Sequence, residues 1–170
     1  VYPRYQSALT PPNRFLANAV TGIRAALARV PTDRRRLVVA GHSAGGALAA
    51  DYAAVAPSLG LPSARAVLAA YPGRRFLGTR APALAIPAAE GRLVPPSTRI
   101  LSLGGADDRA VGSAAARNVV RAATRVPRAR RTFRLIRDPA VDDHLGPQRA
   151  EEASRRVFWT ALDSLVAQTR

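Results

Sequence analysis

Apolar positions along the chain alternate between two periods. Leu16, Val20, Ile23, Leu27 and Val30 recur at steps of four and three, which predicts one face of an amphipathic helix with Asn13 as its cap. "RLVVAG" is a short β-branched run and reads as a buried strand. "AGGALAADYAAVAP" follows as a helix of small residues, halted by Pro57. "ARAVLAAYPG" is a second apolar run closed by a turn signal, and Ile100 to Leu103 is a third run that opens into "GGADDRAVG". Ala115, Val119, Ala122 and Val126 set the seam of another helix. Phe133 and Leu135 alternate with Arg134 as in a strand, and Ala153, Val157, Ala161 and Leu165 mark a closing helix. The opening "VYPRYQ" reads as the end of a strand, before Pro11 and Pro12 forbid regular pairing. Residues 77–96 are proline-rich and aperiodic. They are a candidate acyl pocket or lid, or an ordinary surface excursion.

Strand and helix patterns in alternation predict an α/β fold. The expected form is a three-layer sandwich, with a mostly parallel sheet of about five strands and helices on both faces. Neither a repeat nor a second domain is visible, so residues 1–170 are expected to form a single domain.

Composition narrows the classes. The 170 residues are 48% hydrophobic, enough for a real core. No apolar run approaches the ~18 residues of a membrane span. Without cysteine there are no disulfides, thiolate metal sites or cysteine nucleophiles. The net charge is +15, and every basic residue is arginine. These arginines are scattered, and aromatics to stack on bases make up only 5% of the chain. A nucleic-acid partner is therefore not expected. The chain starts at Val1 and has no methionine, which leads to the expectation of a C-terminal portion of a longer chain.

The chemistry is concentrated at three predicted strand ends, where ligands of open parallel sheets bind. Gly41-His42-Ser43-Ala44-Gly45 fits G-x-S-x-G between a strand and a helix. In that context a strained turn presents the serine oxygen, and the glycines leave room for close packing. "GGADD" and "VDDH" end the later strands, so Ser, Asp and His come in that order. A serine hydroxyl is a weak nucleophile unless a base takes its proton. His144 is the natural base, and an acid would fix its tautomer. Asp108 and Asp107 both stand as candidate acids. Asp142 and Asp143 read as turn formers. His42 and Gly41 are candidates to line the substrate site, and the Ala44 N–H is a candidate oxyanion donor.

"GHSAGGALAA" resembles the nucleophile elbow of the α/β-hydrolase superfamily, in particular its carboxylesterase and lipase branches. "GGADDRAVG" resembles that family's acid turn, with Gly105, Asp108 and Val111 in register, and "DDHLGP" its histidine loop. The resemblance implies an esterase acting on a small-molecule ester without a metal or organic cofactor, with Ser43 as nucleophile, His144 as general base and Asp108 as orienting acid. It also implies a second oxyanion donor from an upstream loop, often His-Gly-Gly. No such segment precedes Ser43. The same triad would serve amides, thioesters or acyl transfer, and a non-catalytic binding module on the scaffold is the alternative from another class. A sheet short of strands would leave an edge through which copies could associate.

Overall fold

The computed structural model describes residues 2–7, 9–75 and 84–169. Four strands form one sheet: β1 (Val38–His42), β2 (Ala66–Ala70), β3 (Arg99–Gly105) and β4 (Arg131–Ile136). They lie side by side in chain order, and every pairing is parallel. All four carboxyl ends therefore open on the same edge of the sheet. The helices are α1 (Phe15–Arg29), α2 (Ala44–Val55), α3 (Ala114–Ala122), α4 (Glu152–Ser154) and α5 (Thr160–Ala167).

The period-2 alternation of the strands decides which helix covers which face. Val39, Val67 and Ile100 are in register across β1–β3 and share a core with Val20 of α1, Tyr52 of α2 and Val119 and Val120 of α3, with Val126 buried just beyond the end of α3. Leu68, Leu101 and Leu103 face the other way and pack with Phe158, Ala161 and Leu165 of the C-terminal helices. The result is three layers. α2 is the most enclosed helix, with Gly46–Ala49 and Asp51–Ala54 buried, and only a helix of small residues fits so close to a sheet.

Four strands form among the described residues, against an expectation of about five. Residues 2–7 are not a strand. Pro3 lacks a donor, and a Cβ added to Gly22 of α1 would lie 2.9 Å from the Pro3 Cβ. The Tyr5 carbonyl accepts a hydrogen bond from Asn18 Nδ2 at 3.1 Å. This segment is thus spent on α1 rather than on the sheet. α1 is entered through a 3₁₀ turn, Pro12–Arg14, and Asn13 makes no capping bond. The closing helix is interrupted by a π turn, Arg155–Trp159, which buries Phe158 where the sequence points to Val157. No helix among the described residues is long and apolar enough to cross a membrane.

Residues 77–83 of the candidate pocket or lid lie outside the described residues. The rest is firmly held. Arg75 and Ala85 form an antiparallel bridge. Buried Asp51 of α2 accepts from the two terminal guanidinium nitrogens of Arg74, each at 2.7 Å, and from the Ala89 N–H at 3.1 Å. Ile86 is buried against Phe15 and Leu48.

Candidate active site

Ser43 stands between the last residue of β1 and the first of α2, with φ 54° and ψ −122°. Among the described residues only Tyr71 is another non-glycine with positive φ. Such a backbone costs about 1–3 kcal/mol and persists only where its surroundings over-determine it. Here they do. The Ser43 N–H donates to the Ala70 carbonyl at 3.0 Å, and the Ser43 carbonyl accepts from Gly46 at 3.0 Å, Ala47 at 3.1 Å and Gly73 at 3.0 Å. A Cβ on Gly41 would lie 2.2 Å from the carbonyl carbon and oxygen of Gly45, and one on Gly46 would lie 2.9 Å from the Gly41 oxygen. The glycines are there so that α2 can start directly against β1. The Ala44 N–H, first in the helix, has no hydrogen-bond partner among the described residues. It stays available at the positive end of the helix dipole.

Asp108 lies in the turn after β3. One carboxylate oxygen, Oδ1, accepts the N–H groups of Ala110 and Val111, both at 3.0 Å. The other, Oδ2, is 2.9 Å from His144 Nδ1, and His144 Nε2 is 3.0 Å from Ser43 Oγ. A carboxylate only accepts, so Nδ1 carries the proton and Nε2 is left to accept from the serine hydroxyl. The Asp108 side chain is fully buried and that of His144 is 20% exposed. Asp107, by contrast, points to solvent and pairs with Arg109 at 3.1 Å. Of the two candidate acids, Asp108 is the one in contact with His144.

The loop that carries His144 is held at several points. The Tyr71 hydroxyl donates to the Val141 carbonyl at 2.7 Å, and burial pushes the phenol pKa far upward. The Asp142 carbonyl accepts the Asp107 N–H at 3.2 Å. Asp143 accepts from Leu145 N–H at 2.8 Å and from Arg149 at 2.6 Å. The Asp143 side-chain bonds suit a turn former, while Asp142 bonds here through its backbone alone. The hydrogen bond from Arg149 holds the Asp143 carboxyl below the usual carboxylate range. The sequence pattern does not single out Tyr71 or Gln148. The one signal for Tyr71 was its place at the end of a predicted strand, and Gln148 had none.

Neither residue proposed to line the substrate site offers a free group to it. Gly41 faces the first turn of α2. His42 uses both ring nitrogens inside the chain: Nε2 lies 2.8 Å from the His144 carbonyl and Nδ1 lies 3.1 Å from the Gln148 amide nitrogen. Its ring sits 4.8 Å from the His144 ring. Burial, followed by the charge of His144, lowers the His42 pKa.

An open depression of about 390 Å³ borders His144 between Asp107, Arg109 and Leu145. A larger one, about 550 Å³, is lined by Arg34, Arg35, Arg36 and Arg65, ahead of β1 and β2. It lies at the opposite end of the sheet, and neither Ser43 nor His144 lines it. No group of three or more metal-ligating side chains occurs among the described residues.

A parallel sheet whose first strand turns sharply through a serine into a buried helix defines the class: an α/β protein with a strand–serine–helix elbow. The chain belongs to the α/β-hydrolase fold family, whose model matches residues 1–106, a span that includes Ser43 and ends before Asp108. No curated protein matches it. Among solved structures it resembles a candidate dienelactone hydrolase from Klebsiella pneumoniae, at 23% identity and a TM-score of 0.60, covering 95% of this chain and 63% of that one. It also resembles a hyperthermophilic esterase from the archaeon Pyrobaculum calidifontis, at 16% identity and a TM-score of 0.60, covering 91% and 58%. A bacterial heroin esterase matches at 20% identity and a TM-score of 0.56, covering 100% and 63%. At these identities the likeness is one of fold. The chain spans about three-fifths of the length of these structures.

Proposed function

We propose that the protein is a serine hydrolase that cleaves carboxylic esters through an acyl-enzyme. The reading rests above all on the unbroken run of hydrogen bonds from Asp108 through His144 to Ser43, at 2.9 and 3.0 Å. Ser43 Oγ attacks the ester carbonyl carbon while its proton passes to His144 Nε2. Asp108 holds the resulting imidazolium and its tautomer. The carbonyl oxygen becomes an oxyanion facing the Ala44 N–H. When the tetrahedral intermediate collapses, the C–O bond to the alcohol breaks and His144 returns the proton to the departing oxygen. Water then repeats the sequence on the acyl-serine, releasing the acid and restoring the Ser43 hydroxyl. Two of the structures the chain resembles are esterases, which favours esters over amides or thioesters.

The test is hydrolysis of p-nitrophenyl acetate and butyrate by the chain and by Ser43→Ala, with a fluorophosphonate probe and mass analysis of the labelled peptide. With only one oxyanion donor identified, the chain alone is expected to turn over weakly and to be labelled at Ser43, with neither in the variant. Equal rates in both proteins would overturn the reading.

A further inference from the structure

His42 is one residue from the proposed nucleophile, yet its ring turns toward the proposed base. The His144 carbonyl can only accept, so the 2.8 Å contact requires a proton on His42 Nε2. Nδ1 of the same ring must then be an acceptor, and the Gln148 amide N–H₂ is there to donate at 3.1 Å. The neutral ring is satisfied at both nitrogens in one tautomer only. Burial favours that neutral form. This arrangement spans three separate pieces of chain: the end of β1, the loop carrying His144, and the turn Gly146–Gln148 that follows it.

The need for such a fastening is visible in the loop. The His144 side chain is fixed at both ring nitrogens, by Asp108 and by Ser43. Its backbone is in a loop outside any helix or strand. Arg149 to the Ala140 carbonyl and Tyr71 to the Val141 carbonyl hold the loop upstream, and Ser154 to the Gly146 carbonyl holds it downstream. Among the described residues only His42 bonds the His144 carbonyl, and it does so from the end of the strand that leads into Ser43. A shift of the His144 backbone away from the end of β1 therefore stretches this bond.

We propose that His42 and Gln148 form a positioning couple that sets the distance between His144 and Ser43 by clamping the His144 carbonyl to the end of β1. This inference rests on the serine-hydrolase reading for its kinetic consequence but not for its structural one. His42 never touches the reacting atoms, so it is a positioning residue.

The experiment compares His42→Ala, His42→Gln and Gln148→Leu in the full chain, by steady-state hydrolysis of p-nitrophenyl butyrate and by ¹⁵N-resolved NMR of the histidine rings. Glutamine carries its amide nitrogen as many bonds from Cβ as histidine carries Nε2, so it can restore the donor. His42→Ala is expected to lower kcat about ten- to hundred-fold with KM changed by no more than about two-fold, the signature of misplacement rather than lost binding. His42→Gln is expected to recover most of that loss, and Gln148→Leu to fall between. A His42→Ala protein that keeps native kcat, or whose loss is no better in His42→Gln, would overturn the inference while leaving the hydrolase reading in place. If the native chain has no turnover above Ser43→Ala, the hydrolase reading falls, and the rings alone decide this inference. They are expected to show His42 as the Nε2–H tautomer, and a sharp His144 Nδ1–H signal that broadens in His42→Ala and returns in His42→Gln. An Nδ1–H tautomer at His42, or a His144 signal indifferent to His42→Ala, would sink it.

Discussion

Asp108→Asn separates the proposed role of this residue from its place in the fold. The carboxylate divides its work: Oδ1 accepts two backbone N–H groups at 3.0 Å and Oδ2 faces His144 Nδ1 at 2.9 Å. An asparagine in the same position must keep its oxygen toward Ala110 and Val111, because an amino group there would meet two donors. Its amino group is then aimed at His144 Nδ1. Holding the proton on Nδ1 would set donor against donor, so the proton moves to Nε2, 3.0 Å from Ser43 Oγ. A protonated Nε2 cannot accept the serine proton. The equivalent change in a serine-protease triad lowers kcat about 10⁴-fold through the same tautomer reversal. That corresponds to about 5.4 kcal/mol of transition-state stabilisation at about 1.36 kcal/mol per tenfold. Both backbone bonds survive, so the fold should lose only about 1 kcal/mol, or roughly 2–4 °C in melting temperature. The assay is p-nitrophenyl butyrate hydrolysis beside a thermal melt, with Asp107→Asn as the comparison. Asp107 is exposed and paired with Arg109, so its variant should keep native activity. A folded Asp108→Asn protein within tenfold of native kcat would refute the tautomer argument.

Four further outcomes follow from the packing. Gly41→Ala places a methyl 2.2 Å from the Gly45 carbonyl; because that neighbour is backbone, α2 must shift, at a cost of about 3 kcal/mol or more, and an unchanged urea midpoint would contradict this. Tyr71→Phe leaves the buried Val141 carbonyl without its 2.7 Å donor, for a loss of about 1–3 kcal/mol in urea unfolding. The His42 pKa is lowered in the fold by burial and by His144, so below its ordinary value near 6.5 the unfolded chain binds the proton first. Stability should therefore fall as pH drops from 7.5 through 6.5 and level off below the folded pKa, with a shallower fall in His42→Gln; Asp108, which also faces the ring, works against the shift. The outer edge of β1 pairs with no strand among the described residues, so the chain is expected to associate with rising concentration, and light scattering that shows a monomer throughout would end that expectation.

Local signals in the sequence determine much of this protein. The periods of Leu16–Ile23 and of Phe133–Leu135 are properties of neighbouring residues, so they survive without knowledge of what packs against them. The order of Ser43, Asp108 and His144 was equally legible, because each follows a strand and parallel strands bring their ends to one edge. Contacts between distant segments were not legible. Whether Asp107 or Asp108 meets His144 depends on a turn whose register is set by the N–H groups of Ala110 and Val111. In the sequence His42 reads either as packing under the turn or as lining the site, and the bond it makes 102 positions down the chain is not visible there. Residues 2–7 read as a strand end, but what Pro3 and Tyr5 meet is α1. Periodicity records which face of an element is apolar. It does not record which far-off carbonyl a polar side chain will reach, and in this chain only the tertiary structure decided that.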